Sequence, residues 1–330
     1  MKIVLTIPIL SIPHDGTRII IEWANRLSIK HNVTLYCKRE IIRPNWINIS
    51  QQVRVTNNVN DIRGNDMLII CSPHSIHLKD VVGMPEKKII FLQMLEHLFK
   101  PGDIGWFEKC NRTYGCDLPT IVTSEWNKRH INQHFPDKKE NIYVVGNGIN
   151  FNDFPIKKCK KDGKTVLIEG WESNNPSKDC YQLAPTVAQM LRDDGYTILA
   201  YSQKPIKIFP DTPNEYYYGN SKSWINRLYE RASILIKATK YDSMSLSPLE
   251  AMTKGCVTVR AIAFGDEELI HNENCIRLPY STEADLYREA TNLLEDEELQ
   301  ETLRKNCYAS IQKHSWNYWF PKIEEILFSV

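Results

Sequence analysis

Short apolar runs rich in Val, Ile and Leu recur along the chain, and between them apolar residues return every three or four positions. In the first half the runs are KIVLTIP (2–8), NVTLYC (32–37), DMLIIC (66–71), KIIFLQ (88–93), TIVTS (120–124) and NIYVV (141–145). In the second half they are KTVLIEG (164–170), YTILAYS (196–202), EYYYG (215–219), ASILIKA (232–238), CVTVRAI (256–262) and NCIRL (274–278). Continuous apolar runs, unlike alternating ones, mark strands covered on both faces, and helices between them complete βαβ units. The pattern predicts an α/β chain of two Rossmann-like, doubly wound parallel-sheet domains, residues 1–150 and 151–330. The stretch GNGINFNDFPIKKCKKDGK (146–164) has no sustained period and reads as the hinge. After the last strand, residues 282–314 read as helical. A final helix (315–330) brings Trp316, Trp319 and Phe320, which need a surface to pack on, and is expected to pack back on the first domain. Because open α/β sheets bind ligands beyond the carboxyl ends of their strands, two such domains predict a ligand cleft between them.

Composition narrows the classes. With 330 residues, 42% hydrophobic and 25% charged, the chain has the material for an ordered core. Residues 1–150 hold 19 Lys and Arg against 14 Asp and Glu, and the remainder 22 against 26, so the halves carry +5 and −4. That split is too mild for a general nucleic-acid binder and suits one half meeting an anionic ligand. Nine scattered cysteines read as reduced thiols of a cytoplasmic protein. The start MKIVLTIPILSIPHDG is interrupted by Pro8 and Pro13 and lacks a small-residue cleavage site, so it reads as a first strand. No apolar run is long enough to span a bilayer. The basic helix TRIIIEWANRLSIK (17–30) allows peripheral membrane contact, although its isoleucines suit packing on the sheet better. Abundant Asn, Ile and Lys suggest an AT-rich genome, such as that of a large DNA virus or a bacterium.

The chemistry concentrates in YDSMSLSPLEAMTKGCVTV (241–259), where Asp242 and Glu250 stand eight positions apart around a small-residue turn. One reading is structural: Ser247 caps a helix with Pro248 at its first position and Glu250 closing a capping box, while Asp242 fixes a loop. The other is functional. Both acids follow the carboxyl end of a strand, and free backbone N–H groups at Ser243, Met244, Ser245 and Leu246 beside a helix start would suit hydroxyl and phosphate groups. Carboxylates accept pairs of sugar hydroxyls.

This segment resembles the E-x7-E stretch of family 4 glycosyltransferases, EGFGLPPLEAMACGCPVV, with aspartate for the first glutamate. LYERASILIK (228–237), GDEELIHNENCIRL (265–278), IYVVGNGIN (142–150), IVTSEWNKRHI (121–131) and HSWNYWFPKIEEI (314–326) are similar to other family segments in the same order. The resemblance implies a GT-B fold, two Rossmann-like domains facing a cleft. It also implies retaining transfer of a sugar from a GDP-mannose or UDP-glucose type donor to a glycan, glycoprotein or lipid-linked acceptor. By it, Glu250 binds the nucleotide ribose, while Asp242 and the segment Ser243, Met244, Ser245 and Leu246 hold the donor sugar. Gly170 and Lys178, in EGWESNNPSKDC, hold the pyrophosphate, with Trp171 where the family has arginine. Gly16, in SIPHDGTR, matches the family's glycine-rich loop near the diphosphate. His97, in QMLEHLFKPGD, matches its acceptor-side histidine. Tyr218 and Gly219 fall where the family receives the base, although three tyrosines in a buried strand also suit packing. Two glycines of the family's G-F-G are replaced by Ser243 and Ser245, which places side chains where the sugar normally approaches.

No D-x-D motif occurs, since EDEE (295–298) lies in a helical pattern, so the sequence calls for no cofactor or metal beyond the donor itself. A nucleotide-sugar epimerase of the same fold, or a nucleotide-sugar or glycan-binding module without turnover, are the alternatives. A dinucleotide-dependent dehydrogenase is disfavoured because no G-x-G-x-x-G follows any strand.

Overall fold

The computed structural model describes residues 1–11, 14–71, 87–169, 183–202, 213–219, 221–261, 264–278 and 282–330. The chain divides into one unit made of Met1–Asn147 with Trp319–Val330, and a second made of Gly148–Tyr318.

The first unit is built on seven strands, β1 (Lys2–Thr6), β2 (Asn32–Tyr36), β3 (Val53–Thr56), β4 (Met67–Ile70), β5 (Lys87–Leu92), β6 (Thr120–Val122) and β7 (Ile142–Val144). They lie in the order β3-β2-β1-β4-β5-β6-β7, and every neighbouring pair is parallel. Ile3, Val4 and Leu5 are fully buried, as continuous apolar runs in a sheet covered on both faces require. Helix α1 (Asp15–Leu27) turns Ile19, Ile20, Ile21, Trp23 and Leu27 inward. The Trp23 ring stacks on Phe91 of β5 with centroids 4.1 Å apart, so the apolar face of this basic helix is spent on the sheet. Helices α2 (Ile104–Tyr114) and α3 (Glu125–His134) also belong to the unit, capped by Asp103 and Ser124.

The second unit repeats the plan with β8 (Thr165–Glu169), β9 (Thr197–Ser202), β10 (Glu215–Tyr218), β11 (Ile234–Ala238), β12 (Val257–Ala261) and β13 (Cys275–Leu278). Their order, β10-β9-β8-β11-β12-β13, is the 3-2-1-4-5-6 arrangement of a doubly wound sheet, again wholly parallel. Helices α4 (Leu183–Asp193), α5 (Lys222–Arg231), α6 (Leu246–Met252), α7 (Glu283–Glu295) and α8 (Glu297–Ile311) belong to it. The last helix, α9 (Trp316–Ser329), carries the chain into the first unit, where Ile323 and Leu327 are buried. There Glu324 pairs with Lys30 at 3.1 Å and the Phe328 ring meets His31.

Three details depart from the sequence reading. Strand β3 has no apolar run to announce it: VRVT is four residues at a sheet edge, with Arg54 exposed and paired to Asp61 at 2.8 Å. Residues 282–314 form two helices and a 3-10 turn, because Asp296 ends α7 and its side chain caps α8 through the Leu299 N–H. Strand β10 is an edge strand whose tyrosines are half-buried or exposed, so the alternative of three tyrosines packed in a buried strand does not hold.

Trp316 finds its surface within the second unit. A Cβ at Gly148 would fall 2.3 Å from the Trp316 ring, so only glycine lets the indole lie flat on this backbone. The adjacent Ile149 N–H donates to the His314 carbonyl at 2.6 Å. All eight cysteines among the described residues are free thiols, and no described helix is long and apolar enough to cross a membrane.

Candidate functional site

Four strands of the second sheet carry a charge near their carboxyl ends, after otherwise apolar residues. Glu169 on β8 is in register with Lys237 on β11, Lys237 with Arg260 on β12, and Arg260 with Arg277 on β13. Register partners in a parallel sheet share a face, so the four form one row across the sheet. Lys237 is 5% exposed and Arg260 wholly buried. Charges so far from water persist only when paired and hydrogen-bonded.

Their partners come from the loops above the row. Lys237 Nζ donates to Glu169 Oε1 at 3.1 Å and to Ser247 Oγ at 2.8 Å, and lies 3.6 Å from Asp242 Oδ2. Ser247 closes the triangle with a short hydrogen bond to Glu169 Oε2. Arg260 grips Asp266 Oδ2 through Nε at 2.7 Å and reaches Asp242 Oδ2 at 3.5 Å. Arg277 holds the carbonyls of Asp266 and Leu269. The loops after β11 and β12 are thereby tied to cations of the strands beneath them. Strands β8 and β11 are also where the sheet order reverses, the place at which ligands enter such folds.

Burial disfavours the Lys237 ammonium, but Glu169 and Asp242 outweigh it and raise its pKa. Burial likewise opposes the Arg260 charge, and Asp266 and Asp242 restore it. Asp266 is pushed up by burial, with Arg260 and the Ser245 N–H pulling the other way. Glu268 is raised well above the carboxylate range by burial and then by repulsion from Asp266. Its Oε1 has no hydrogen-bond partner among the described residues.

Asp242 sits shortly after β11 with Oδ2 toward Lys237 and Arg260, while Oδ1 accepts the Ser243 N–H at 3.0 Å. Its side chain is 19% exposed. Glu250 is buried on α6 beside the Tyr229 phenol. Burial, then Tyr201 and Glu250, raise that phenol's pKa.

The helix start differs from the sequence reading. Helix α6 begins at Leu246 with Ser245 as its cap, so Pro248 lies third in the first turn, where a missing N–H is tolerated. No capping box forms at Ser247, because its hydroxyl serves Lys237 and Glu169 instead.

Three of the four N–H groups expected to be free are taken as well. Ser243 donates to Asp242, Met244 to the Gly265 carbonyl at 3.5 Å, and Ser245 to Asp266 Oδ1 at 2.9 Å. The turn is tight enough to hold Met244 at φ 53°, a left-handed conformation that costs a non-glycine residue roughly 1–2 kcal/mol. At seven residues, Leu246–Met252, α6 is also too short for a strong terminal dipole.

The remaining residues are more dispersed. Gly170, Trp171 and Lys178 lie outside the described residues. Tyr218 is 62% exposed at the end of β10, and Gly219 comes next at φ 108° with open space where a Cβ would be. Gly16 belongs to the first unit, in the first turn of α1. Its N–H donates to His14 Nδ1 at 3.1 Å and its carbonyl accepts from Gln93 Nε2 at 3.0 Å. A Cβ there would sit 3.2 Å from the Gln93 side chain, so the glycine admits Gln93. His97 lies in a 3-10 turn after β5, Glu96–Phe99, with Nδ1 3.4 Å from the Tyr114 hydroxyl and its ring 5.3 Å from His130. Burial, then His130 and His134, lower its pKa to about 4, which keeps the imidazole neutral at pH 7.

Sequence reasoning missed Glu169, Lys237, Arg260 and Asp266. A signal was present for the strand residues: TVLIE, ILIKA, VTVRA and CIRL each place one charge at or next to the end of an apolar strand. A charge there has no solvent face to occupy and must find a partner in the loop above.

No family model matches the chain, and no curated protein does. Solved structures do match. HepE of Anabaena, crystallised with UDP, is 15% identical over the whole of both chains, with a TM-score of 0.74. A sucrose-phosphate synthase from Thermosynechococcus elongatus is 13% identical over 99% of each chain, with a TM-score of 0.78. A glycosyltransferase from Rickettsia africae is 13% identical over 99% of this chain and 97% of its own, with a TM-score of 0.71. The chain therefore has the GT-B fold of these glycosyltransferases.

Proposed function

We propose that this GT-B protein transfers a sugar from a nucleoside-diphosphate sugar to a hydroxyl of a glycan, glycoprotein or lipid-linked acceptor, with retention of the anomeric configuration. The observation that carries the reading is the placing of Asp242. Its carboxylate stands beyond the carboxyl end of β11, beside the sheet's order reversal, oriented by two buried cations, with the side chain 19% exposed. Glu250 lies eight residues later on α6, matching the spacing of the E-x7-E segment. Structures of the similar HepE hold UDP, UDP-glucose, or UDP with glucose, which supports a uridine donor over the GDP alternative.

In this reading Glu250 takes the ribose and Asp242 the sugar hydroxyls, each as an acceptor of hydrogen bonds and neither as a general acid or base. Gly170 and Lys178 serve the pyrophosphate, Tyr218 and Gly219 the base, and Gly16 the diphosphate. His97, neutral at pH 7, faces the acceptor. The bond from the anomeric carbon to the phosphate oxygen breaks while the acceptor oxygen attacks from the same face. The acceptor proton passes to the departing phosphate oxygen. The protein's main task is to stabilise the charge that develops on the diphosphate, a role for Lys178. The reading calls for no metal.

The occupied N–H groups of Ser243, Met244 and Ser245 favour one second reading, nucleotide-sugar binding without turnover. Product formation from labelled UDP- and GDP-sugars, with Glu250→Ala and Lys178→Ala as controls, separates the two. Turnover abolished by both substitutions supports transfer, and tight nucleotide binding without turnover supports the second reading.

A further inference from the structure

We infer that Lys237 is the positioning residue for Asp242, setting the carboxylate that receives the donor sugar; this rests on the glycosyl-transfer reading above. Lys237 interrupts an otherwise apolar strand, ILIKA, and is 5% exposed. Apolar residues of similar volume commonly replace both members of a buried ion pair without loss of stability, so the fold alone does not call for an ion pair here. What the ammonium does is join three segments that nothing else in the row joins. It contacts Glu169 at the end of β8, Ser247 in the first turn of α6, and Asp242 in the loop between β11 and α6.

The consequence falls on Asp242. Aspartate has one methylene less than the glutamate of the E-x7-E pattern, so its carboxylate is held closer to the strand. There Lys237 at 3.6 Å and Arg260 at 3.5 Å meet the same oxygen, Oδ2, while Oδ1 takes the Ser243 N–H. The plane of the carboxylate is fixed from both oxygens. Arg260 is committed mainly to Asp266, which it grips at 2.6 and 2.7 Å. Lys237 is therefore the cation whose loss would change the Asp242 orientation with the least damage elsewhere. Glu169 opposes that freedom from the other side by holding Lys237 in place.

The test compares Lys237→Met with wild type by calorimetric titration with UDP and UDP-glucose, and in parallel with GDP and GDP-mannose, alongside thermal melting. Methionine keeps much of the side chain's length and removes the charge. The expected result is an unchanged affinity for the bare nucleotide, with a melting temperature that falls because Glu169 and Asp242 lose their cation and that recovers in Lys237→Met/Glu169→Leu. The extra affinity contributed by the sugar should fall about tenfold, the share of one charge-assisted contact. Equal losses of affinity for nucleotide and nucleotide sugar would make Lys237 a structural strut and overturn the inference. So would a sugar contribution that the substitution leaves intact. If Lys237→Met does not fold, Lys237→Met/Glu169→Leu removes both charges and is predicted to lose the same sugar contribution; retention of that contribution overturns the inference. Wild type that binds none of the four compounds overturns the glycosyl-transfer reading itself, a result distinct from any difference between variants.

Discussion

Glu169 and Lys237 stand opposite one another on neighbouring parallel strands, with carboxylate and ammonium 3.1 Å apart inside the second unit. The pair straddles β8 and β11, the strands between which the sheet changes direction. A charge pair at this place orients the loops that leave the two strands, and the loop leaving β11 carries Asp242. Buried ion pairs are weak sources of stability but strong constraints on geometry when every partner is satisfied.

Arg260 tests the row's energetics. Arg260→Met leaves Asp266 fully buried without its cation, and breaking such a pair costs about 3–5 kcal/mol. Urea unfolding should show a loss of that order. The double variant Arg260→Met/Asp266→Leu should recover much of it, because no unpaired charge remains. A single variant as stable as wild type would contradict the pairing.

Gly148 and Trp316 form a packing pair that a single methyl group disrupts. In Gly148→Ala the new Cβ would lie within 2.7 Å of three ring atoms, and overpacking of this kind costs about 1–3 kcal/mol. Trp316→Leu in the same chain makes room, so the two changes together should cost less than their sum. Strict additivity in denaturant melts would count against the contact.

Acid should destabilise the fold through two histidines. His97 and His314 each have the pKa lowered from 6.5 to about 4, in both cases by burial first. Between pH 6.5 and 4 the unfolded chain takes up protons that the folded chain refuses, so stability is full above pH 6.5 and declines as pH falls through this window. Melting temperature should drop by several degrees between neutral pH and mild acid. His314→Leu should flatten that slope; an unchanged slope would show that its imidazole titrates normally.

Asp242 and Glu250 should separate by ligand. Glu250→Ala is expected to weaken UDP and UDP-sugar binding alike, by about 10- to 100-fold for lost hydrogen bonds to a charged group. Asp242→Ala should spare UDP and reduce only the contribution of the sugar. Side-by-side titration checks this, and the reverse pattern would exchange the two roles.

Much of the fold was legible because buried parallel strands are written as continuous apolar runs. Short stretches such as VTLYC or TVLIE carry that signal without help from distant neighbours, whereas VRVT at an edge does not. Asp242 and Glu250 were legible by spacing and by position after a strand. The state of the turn between them was not. Whether Met244 and Ser245 offer their N–H groups depends on Gly265 and Asp266, about 20 residues downstream, which the sheet brings overhead. Lys237 and Arg260 were visible as charges in apolar strands, yet their meaning appears only in the register that sets them side by side. The Gln93 side chain that donates to the Gly16 carbonyl comes from just after β5, far along the chain, and was not visible from the Gly16 segment.

The role given to Asp242 is decided by calorimetric titration of the wild-type protein with UDP and GDP, each with and without a glycosyl group. Saturable one-to-one binding of at least one nucleoside diphosphate is expected, tighter when the sugar is attached, with that gain lost in Asp242→Ala. Absence of heat from all of these ligands would refute donor binding, and a gain from the sugar that Asp242→Ala leaves whole would refute the role of its carboxylate.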